Sequence, residues 1–271
     1  PNGDIREYPE GISGYEIAKS ISERLAKEAV GIIVNEKKQD LSTPINTDAT
    51  IRILTFEDEE GKQVFWHSSA HLMAAAIEKL YPGTKFGIGP SIENGFYYDI
   101  ELPNEQKIGL DDLPKIEAKM KELSDEKSDY NRIELSWDEA VKHFKKVGDN
   151  YKLELLDGLQ GEEISFYKQG DFVDLCRGTH LPNTSFIKYF KLMSVAGAYW
   201  RGDSKRNMMT RIYGISFPKK KMLEDYITLM EEAEKRDHRK LGKELELFMI
   251  TPAIGAGLPV WLPKGAFIRR K

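Results

Sequence analysis

The sequence predicts an α+β chain made of a small domain, a larger domain and a charged helix. Three observations lead to this class. Short stretches that alternate apolar and polar residues, as half-buried strands do, stand among helical patterns in residues 1–60 and again in residues 62–219. Residues 220–245 repeat apolar side chains at the spacing of an amphipathic helix. A length of 271 residues is enough for two or three domains.

The small domain has the order of elements found in a β-grasp fold. Residues 5–8 alternate as a strand does, and residues 13–28 place apolar side chains four apart, which predicts a helix. Residues 32–34 and 51–56 add two further strands. The acidic stretch 57–61, which ends in glycine, indicates a linker to the next domain.

The larger domain is predicted from mixed patterns over residues 62–219. A helix over residues 67–81 ends at Pro82 and Gly83, because this pair stops helices. Asn94 and Gly95 mark the turn of a strand pair. Two further helices are predicted at 111–128 and 136–146, the second with a Ser136–Glu139 capping box. A strand is predicted at 151–155, with Lys152 and Glu154 on one face. Further strands are predicted within 166–175 and 189–217.

The last part of the chain is predicted as one long helix and the beginning of a further domain. Residues 220–245 form that helix, and residues 246–271 begin the further domain. Glycine and proline residues between positions 255 and 265 favour loops there.

Composition excludes several classes of protein. Charged residues make up 31% of the chain and no run of about 18 apolar residues occurs, which excludes a membrane-spanning protein. The single cysteine, Cys176, excludes an internal disulfide, and with the lack of a secretory pattern it predicts a cytoplasmic location. Residues 1–60 hold 13 acidic and 7 basic side chains, whereas residues 180–225 hold 9 basic and 3 acidic ones. The second stretch is either a phosphate-attracting surface or an ordinary solvated one.

Two short motifs contain three of the five histidines and the only cysteine. His67 and His71 are four residues apart on a predicted helix and therefore share a face. Cys176 and His180 have the same spacing. Three imidazoles and a thiolate are a complete ligand set for tetrahedral zinc, but the same groups can bind a polar substrate and transfer protons. Near a helix amino terminus, His67 and His71 are expected to have lowered pKa values.

A few other positions carry groups that would suit such a site. Asp174 shares a strand face with Cys176, and Tyr98 and Lys152 lie in other predicted strands. Each is otherwise an ordinary strand residue. The run Tyr199-Trp200-Arg201 resembles the aromatic and cationic patches that stack on single-stranded RNA, or it is a hairpin at the edge of the core.

Four sequence blocks, in their order along the chain, resemble those of bacterial threonyl-tRNA synthetases. They are FWHSSAHL at 65–72, IGP with NGFYYD at 88–99, DLCRGTH at 174–180 and GAYWRG at 197–202. By this resemblance residues 1–60 are similar to the ubiquitin-like TGS domain of the family and residues 62–219 to its editing domain, shared in type with alanyl-tRNA synthetases. Residues 220–245 resemble its linker helix, and residues 246–271 the start of its class II catalytic domain.

The resemblance assigns roles to eleven residues. It implies catalytic roles in an editing pocket for His67, His71, Cys176, His180, Lys152 and Asp174, and substrate binding by Tyr98, Arg177, Tyr199, Trp200 and Arg201. The implied reaction is hydrolysis of seryl-tRNA(Thr), with tRNA bound through its acceptor arm and 3′ end. The family is expected to edit without a metal at this quartet, whereas alanyl-type relatives hold zinc with a similar one. We expect Cys176 to set shape and polarity and not to act as a covalent nucleophile.

The resemblance also describes a longer protein. Family members attach threonine to tRNA with ATP, magnesium and a zinc ion in a catalytic domain that would lie beyond residue 271. They form homodimers through that domain, so the present chain is expected to be a monomer, with no membrane partner.

Two other functions fit parts of the sequence. A free-standing, zinc-dependent deacylase of the alanyl editing type would use the four His and Cys residues as ligands, but residues 246–271 argue against it because they resemble the start of another domain. A non-catalytic module would bind RNA through the small domain and the basic stretch 180–225.

Overall fold

The computed structural model describes residues 3–161, 164–251, 254–255 and 257–270. Pro1–Lys220 form one compact unit and Lys221–Lys271 form a second. Every strand pairing among the described residues is antiparallel. The predicted α+β class is therefore confirmed.

The first part of the larger unit is a small sheet covered by two short helices. Its elements are β1 (Ile12–Ser13), α1 (Gly14–Ile21), α2 (Glu23–Glu28), β2 (Ala29–Val34), β3 (Lys37–Gln39), β4 (Pro44–Ile45) and β5 (Ile51–Thr55). β2 is the central strand of a sheet with the order β3-β2-β5, and β1 pairs with β4. Ile17, Ala26, Ile32 and Leu41 form its core. The strands predicted at 32–34 and 51–56 are confirmed as β2 and β5.

Two predictions for this region are wrong. The helix expected over residues 13–28 is divided, because Ser22 is extended (φ −165°, ψ 147°) and its hydroxyl caps α2 by accepting from Leu25 N. Residues 5–8 form no strand: Ile5 is 96% exposed, and no strand of the described chain pairs with this segment. Alternation alone does not make a strand when no neighbouring backbone supplies its hydrogen bonds.

A long buried helix, α3 (Glu59–Leu80), replaces the linker predicted at 57–61. The helix begins eight residues before the predicted start because Thr55 N donates to Asp58 Oδ2, which turns the chain directly from β5 into the helix. Gly61 allows this close approach, since a Cβ at that position would stand 1.8 Å from Thr55 O. Of the 22 residues in α3, 14 are buried, so the helix lacks the one-sided apolar pattern by which its start would be recognised.

In the rest of the larger unit, the described residues form two sheets and three more α-helices. Its elements are β6 (Lys85–Phe86), β7 (Ser91–Ile92), β8 (Gly95–Glu101), α4 (Leu113–Asp125), β9 (Tyr130–Leu135), α5 (Trp137–Val147), α6 (Asn150–Asp157), β10 (Ile164–Gln169), β11 (Phe172–Leu175), β12 (Tyr189–Tyr199) and β13 (Met208–Phe217). One sheet has the order β12-β13-β8-β6, with β7 also paired to β8, and the other has the order β11-β10-β9. α3 contacts β8 and β13 of the first sheet and β11 of the second.

The sequence predicts most of these elements. Ser91 pairs with Phe96 across the predicted turn, and the capping box at Ser136 and Glu139 is present. The strand predicted at 151–155 is wrong, because this stretch belongs to α6. Asp149 caps that helix by accepting from the backbone N–H groups of residues 151 and 152. Lys152 and Glu154 therefore face different surroundings, Lys152 buried and Glu154 near the surface.

The described part of the second unit contains three helices and a strand pair. Its elements are α7 (Lys220–Lys235), α8 (His238–Glu244), β14 (Phe248–Ile250), β15 (Pro259–Trp261) and α9 (Pro263–Arg270). The single helix predicted over 220–245 is divided, because the Asp237 side chain accepts from Arg239 N and begins α8. The loops predicted between residues 255 and 265 are wrong in two places, because Pro259 begins β15 and Pro263 begins α9. Ala256 lies outside the described residues. Among the helices described here, none has the length and apolar character needed to cross a bilayer.

Gly61→Ala should destabilise the protein, even though alanine inside a helix is more stable than glycine by up to about 1 kcal/mol. The added methyl would stand 1.8 Å from Thr55 O, so α3 and β5 must separate. Overpacking of this kind costs about 1–3 kcal/mol. Urea unfolding followed by circular dichroism should show a lower midpoint than for Gly158→Ala, where the nearest neighbour of the added carbon is 3.9 Å away. Equal midpoints would contradict the packing described for α3.

Candidate active site

A cavity of about 450 Å³ lies beside α3 in the larger unit. Seven of the eleven predicted site residues are in its lining: His67, His71, Tyr98, Lys152, Asp174, Cys176 and Arg177. Their elements are distant in sequence but adjacent in space, since α3 contacts both β8 and β11. Pockets of this volume are the usual size for small-molecule sites.

The middle of α3 places His67 and His71 one turn apart, with ring centroids separated by 4.9 Å. Burial lowers the pKa of His67, and it lowers the pKa of His71 to about 3. The direction agrees with the prediction, but the predicted cause is wrong, because neither residue is near the amino terminus of the helix. Both imidazoles are neutral at pH 7.

The segment that follows β11 carries Cys176 and His180 to the same place. Cys176 Sγ lies 2.8 Å from His67 Nε2 and 3.3 Å from His180 Nε2. The absence of a side chain at Gly178 leaves room for this arrangement, since a Cβ there would stand 2.8 Å from His67 Nε2. The backbone N–H of Gly178 also donates to Sγ at 3.3 Å. The two predicted motifs therefore meet around one sulfur atom.

Hydrogen bonds at the Nδ1 atoms fix the tautomers of two of these histidines. His67 Nδ1 faces Gly89 O at 3.1 Å, and a carbonyl only accepts, so Nδ1 carries the proton. His180 Nδ1 lies 3.2 Å from Ser68 Oγ, whose own proton goes to Val64 O. Because a hydroxyl has one proton, His180 Nδ1 must donate to Ser68. In their neutral forms both rings thus present an unprotonated Nε2 to Cys176.

Burial raises the pKa of the Cys176 thiol to about 12. The sulfur is therefore a neutral thiol at pH 7, with one proton to share between two imidazole acceptors. The thiolate, and not the thiol, is the reactive nucleophile. This arrangement favours a role in shape and hydrogen bonding over covalent catalysis.

A buried ion pair forms the other wall of the cavity. Lys152 Nζ lies 2.5 Å from Asp174 Oδ1, and the two side chains are 4% and 3% exposed. Lys152 also donates to Tyr98 Oη at 3.3 Å, and Tyr98 donates to the second oxygen of Asp174. Burial is the largest single effect and opposes ionisation of Asp174, but the charge of Lys152, the neighbouring His71 and the hydrogen bonds from Lys152 and Tyr98 together outweigh it, so the pKa of Asp174 is lowered. Removing either charge would leave the other buried without compensation, which is strongly destabilising.

His71 differs from the other two imidazoles of the cluster. Its Nδ1 is buried and has no hydrogen-bond partner within the described ranges, and its Nε2 lies 3.9 Å from Asp174 Oδ2, beyond hydrogen-bonding distance. An unsatisfied buried polar atom costs about 1–3 kcal/mol. His71 therefore lines the cavity with hydrogen-bonding capacity that the described residues leave unused.

The His and Cys quartet also fits a metal ion by its chemistry. The four donor atoms of His67, His71, Cys176 and His180 lie within 4.8 Å of one another. Anchored Nδ1–H groups are typical of histidines that bind metals through Nε2. However, zinc bond lengths of about 2.0 and 2.3 Å in a tetrahedron separate nitrogen from sulfur by roughly 3.6 Å. The 2.8 Å contact between His67 and Cys176 is a hydrogen bond, and these groups would have to move apart to hold zinc.

The predicted aromatic patch is absent from the residues that line the cavity. Trp200 is buried against Tyr151, with ring centroids 4.9 Å apart, and its Nε1 donates to Glu154. Arg201 forms an ion pair with the same carboxylate at 2.9 Å, and Tyr199 is 44% exposed. Binding of substrate by these three residues stays a prediction, as does binding by Arg177.

Three residues that hold the imidazoles in place were not predicted. Ser68 and Gly89 fix the tautomers, and Asp40 accepts a hydrogen bond from the backbone of His180 at 2.9 Å. Ser68 lies inside a recognised motif and could have been proposed from it. Asp40 comes from the small domain, and no local pattern marks it as a site residue.

Comparison with known proteins identifies the two parts of the larger unit. Residues 1–55 match the TGS domain, and residues 164–213 match the threonyl and alanyl tRNA synthetase second additional domain. The chain carries both domains. Its second additional domain contains Asp174, Cys176 and His180 within the matched residues, whereas His67, His71 and Lys152 lie between the two matched stretches.

The chain is also similar over its whole length to proteins named threonine–tRNA ligase. The ligases of Parabacteroides distasonis and Cytophaga hutchinsonii are 56% identical to it over 269 and 271 residues, and that of Chloroherpeton thalassium is 51% identical over 274 residues. These alignments cover 99–100% of this chain but only 41–42% of each relative. The chain thus spans about two fifths of the length of these enzymes.

The tautomers deduced above can be measured directly. Long-range ¹⁵N–¹H spectra of the protein at pH 7 should show His67 and His180 protonated at Nδ1, because Gly89 O and Ser68 Oγ accept from those nitrogens. His238, which is exposed, is the internal control and should average between its tautomers. Protonation of either His67 or His180 at Nε2 would contradict the hydrogen-bond assignment.

Proposed function

We propose that this chain removes serine wrongly attached to tRNA(Thr), acting as the editing part of a threonine–tRNA ligase. The observation that carries the proposal is the cavity in which neutral imidazoles and a buried lysine–aspartate pair face one another. The names of the relatives, and of the matched second additional domain, support tRNA(Thr) as the RNA on which the chain acts.

The need for such an activity follows from the small difference between the two amino acids. Serine lacks one methyl group of threonine, and a pocket gains only about 1–3 kcal/mol from a methyl group. This difference is too small for faithful translation. A second site that admits serine and rejects the larger side chain corrects the errors by hydrolysis.

The geometry suits attack of water on an ester. Lys152 has three N–H groups, of which Asp174 and Tyr98 take two, so the third is available to the carbonyl oxygen of the ester. There it would stabilise the negative charge that develops during attack. Asp174 holds the ammonium group in place.

His71 is the imidazole that we assign to the water molecule, because its ring nitrogens are not engaged by Cys176, Gly89 or Ser68. The water oxygen bonds to the carbonyl carbon while its proton moves to His71. The bond between the carbonyl carbon and the ribose oxygen then breaks, and the ribose oxygen takes that proton. The products are serine and tRNA with a free 3′ end.

A metal-dependent deacylase is the second candidate, because the donor atoms and the anchored tautomers of the quartet suit zinc. His67, His71 and His180 would supply nitrogen ligands and Cys176 a thiolate. When bound, zinc would supply Lewis acidity to a water molecule or a carbonyl oxygen. The hydrogen-bonded contact between His67 and Cys176 leads us to prefer the first candidate.

We further propose that these residues act within a longer enzyme. The rest of such a ligase would attach threonine to tRNA with ATP, magnesium and its own zinc ion, would form the homodimer and would work in the cytoplasm. The partner of the part described here would be the acceptor arm and 3′ end of tRNA.

Metal-stripped protein should hydrolyse seryl-tRNA(Thr) and spare threonyl-tRNA(Thr). Loss of radiolabelled amino acid from each tRNA measures the two rates. His71→Ala should slow serine release by about 10²–10⁴-fold, the usual contribution of a general base. His238→Ala, which removes an exposed histidine of the second unit, is the matched control and should leave the rate unchanged.

Two results would overturn this proposal. Hydrolysis that appears only after zinc is added would establish the second candidate. A protein that binds the tRNA in a filter assay but releases no serine with or without zinc would have no editing activity, and the cavity would then serve binding alone.

Cys176→Ser should keep the rate of serine release within about tenfold of the unchanged protein, because a hydroxyl preserves a hydrogen bond worth about 1 kcal/mol. Acid quenching during turnover, followed by mass spectrometry of the intact chain, should detect no acylated protein. A seryl thioester on Cys176 in the unchanged protein would show that the thiol is a nucleophile.

A further inference from the structure

We infer that the TGS domain completes the cavity of the second additional domain, with Asp40 as a positioning residue for His180 and Lys38 as a binding residue for a phosphate of the incoming RNA. The inference rests on the function proposed above and gives the TGS domain a part in it. The two side chains lie near the end of strand β3, and each can be tested by a separate experiment.

Asp40 holds the segment of His180 at two points. Its Oδ1 accepts from His180 N at 2.9 Å, and its Oδ2 accepts from Tyr167 Oη at 2.8 Å. The ring of Tyr167 in turn packs against the imidazole of His180, with centroids 4.2 Å apart. One carboxylate therefore fixes both the backbone of His180 and an aromatic ring that confines its side chain.

The position of Asp40 is set by the core of the TGS domain. Asp40 follows β3 directly, and the next residue, Leu41, is 2% exposed in that core. Leu41 O also accepts from Tyr15 N at 3.0 Å. The carboxylate is thus held by residues on both sides and is not a mobile surface group.

The same segment also lies close to the TGS sheet. A Cβ added to Gly31, on the central strand β2, would lie 3.6 Å from Cγ2 of Thr179, in ordinary van der Waals contact. Thr179 lines the cavity. The segment from Cys176 to His180 is therefore packed between the cavity and the TGS domain.

Misplacement of His180 would spread through the cluster. Its Nε2 lies 3.3 Å from Cys176 Sγ, and Sγ lies 2.8 Å from His67 Nε2. A change in the segment that carries both Cys176 and His180 would therefore alter the surroundings of the histidines on α3 as well. For this reason we expect the loss of Asp40 to affect the rate of the chemical step.

Lys38 stands at the opening of the same cavity. It is exposed, belongs to the cavity lining, and donates to the amide oxygen of Gln63 at 3.2 Å. Because an amide is uncharged, this hydrogen bond does not neutralise Lys38, and the nearby carboxylate of Glu60, whose pKa Lys38 helps to lower, is already paired with Arg52. An aminoacylated RNA end entering the cavity brings phosphate groups, to which lysine binds as a point charge.

The test of Asp40 compares three variants under single-turnover conditions with seryl-tRNA(Thr). Asp40→Ala should lower the rate of hydrolysis at saturating protein by about 10–100-fold, the usual effect of removing a group that orients an active-site histidine. Asp40→Asn, which keeps an oxygen to accept from His180 N, should retain most of the activity. Asp48→Ala, at an exposed position of the TGS domain, is the matched control and should be unchanged.

A second readout separates positioning from general stability. Asp40→Ala should shift the ¹⁵N resonances of the His180 ring in a protein that still unfolds cooperatively, whereas Asp48→Ala should leave them in place. If Asp40→Ala does not fold, Asp40→Asn decides the matter. An asparagine variant that is folded, with the His180 resonances shifted and the activity lost, would overturn the assignment of Asp40 as a hydrogen-bond acceptor.

The test of Lys38 uses its neighbour as the control. Lys37 is also exposed on β3, but successive side chains of a strand point to opposite faces. Lys38→Ala should raise the KM for seryl-tRNA(Thr) without changing kcat, and should reduce the slope of log affinity against log salt by about 1. Lys37→Ala should change neither. Equal effects of the two variants would overturn the role of Lys38.

These experiments distinguish a failure of this inference from a failure of the proposed function. If the unchanged protein hydrolyses seryl-tRNA(Thr) but Asp40→Ala and Lys38→Ala behave as their controls do, the function stands and the TGS domain takes no part in it. If the unchanged protein hydrolyses no ester, the proposed function itself is wrong.

Discussion

Helix α3 is buried along most of its length, and this burial determines both the position and the chemistry of the cavity. Its first turn is pressed against β5 at Gly61, so the TGS sheet is fixed to the helix without an intervening linker. Its middle carries His67 and His71, whose neutral state follows from their removal from water. Contacts with β8 and β11 then bring Tyr98 and Asp174 to the same space.

The polar groups around the cavity are arranged so that nearly every proton has an assigned acceptor. Gly89 and Ser68 fix two imidazoles, Cys176 lies between their free nitrogens, and Lys152 neutralises Asp174. In a medium of low dielectric constant such satisfied networks are rigid, and an unsatisfied member is costly. His71 is the member whose hydrogen-bonding capacity the described residues leave unused.

The sequence allowed the grouping of the site residues to be predicted better than the boundaries of the elements. The four His and Cys residues were identified from two short motifs, because residue type and spacing carry that information locally. The start of α3 was missed because a helix buried on most sides shows no single apolar face. Residues 151–155 alternate like a strand, yet they form a helix that is capped by Asp149. The contact of Asp40 with His180 joins positions 140 apart, which no local pattern reveals.

The hydrogen bonds of Asp40 bear on whether the two domains can be exchanged separately between proteins. Sequence similarity places one domain at residues 1–55 and the other at residues 164–213, yet the carboxylate of the first holds a histidine of the second. A hybrid enzyme assembled at those borders would join two intact modules and still lack a matched partner for His180. The compact unit that contains both partners of this contact is residues 1–220.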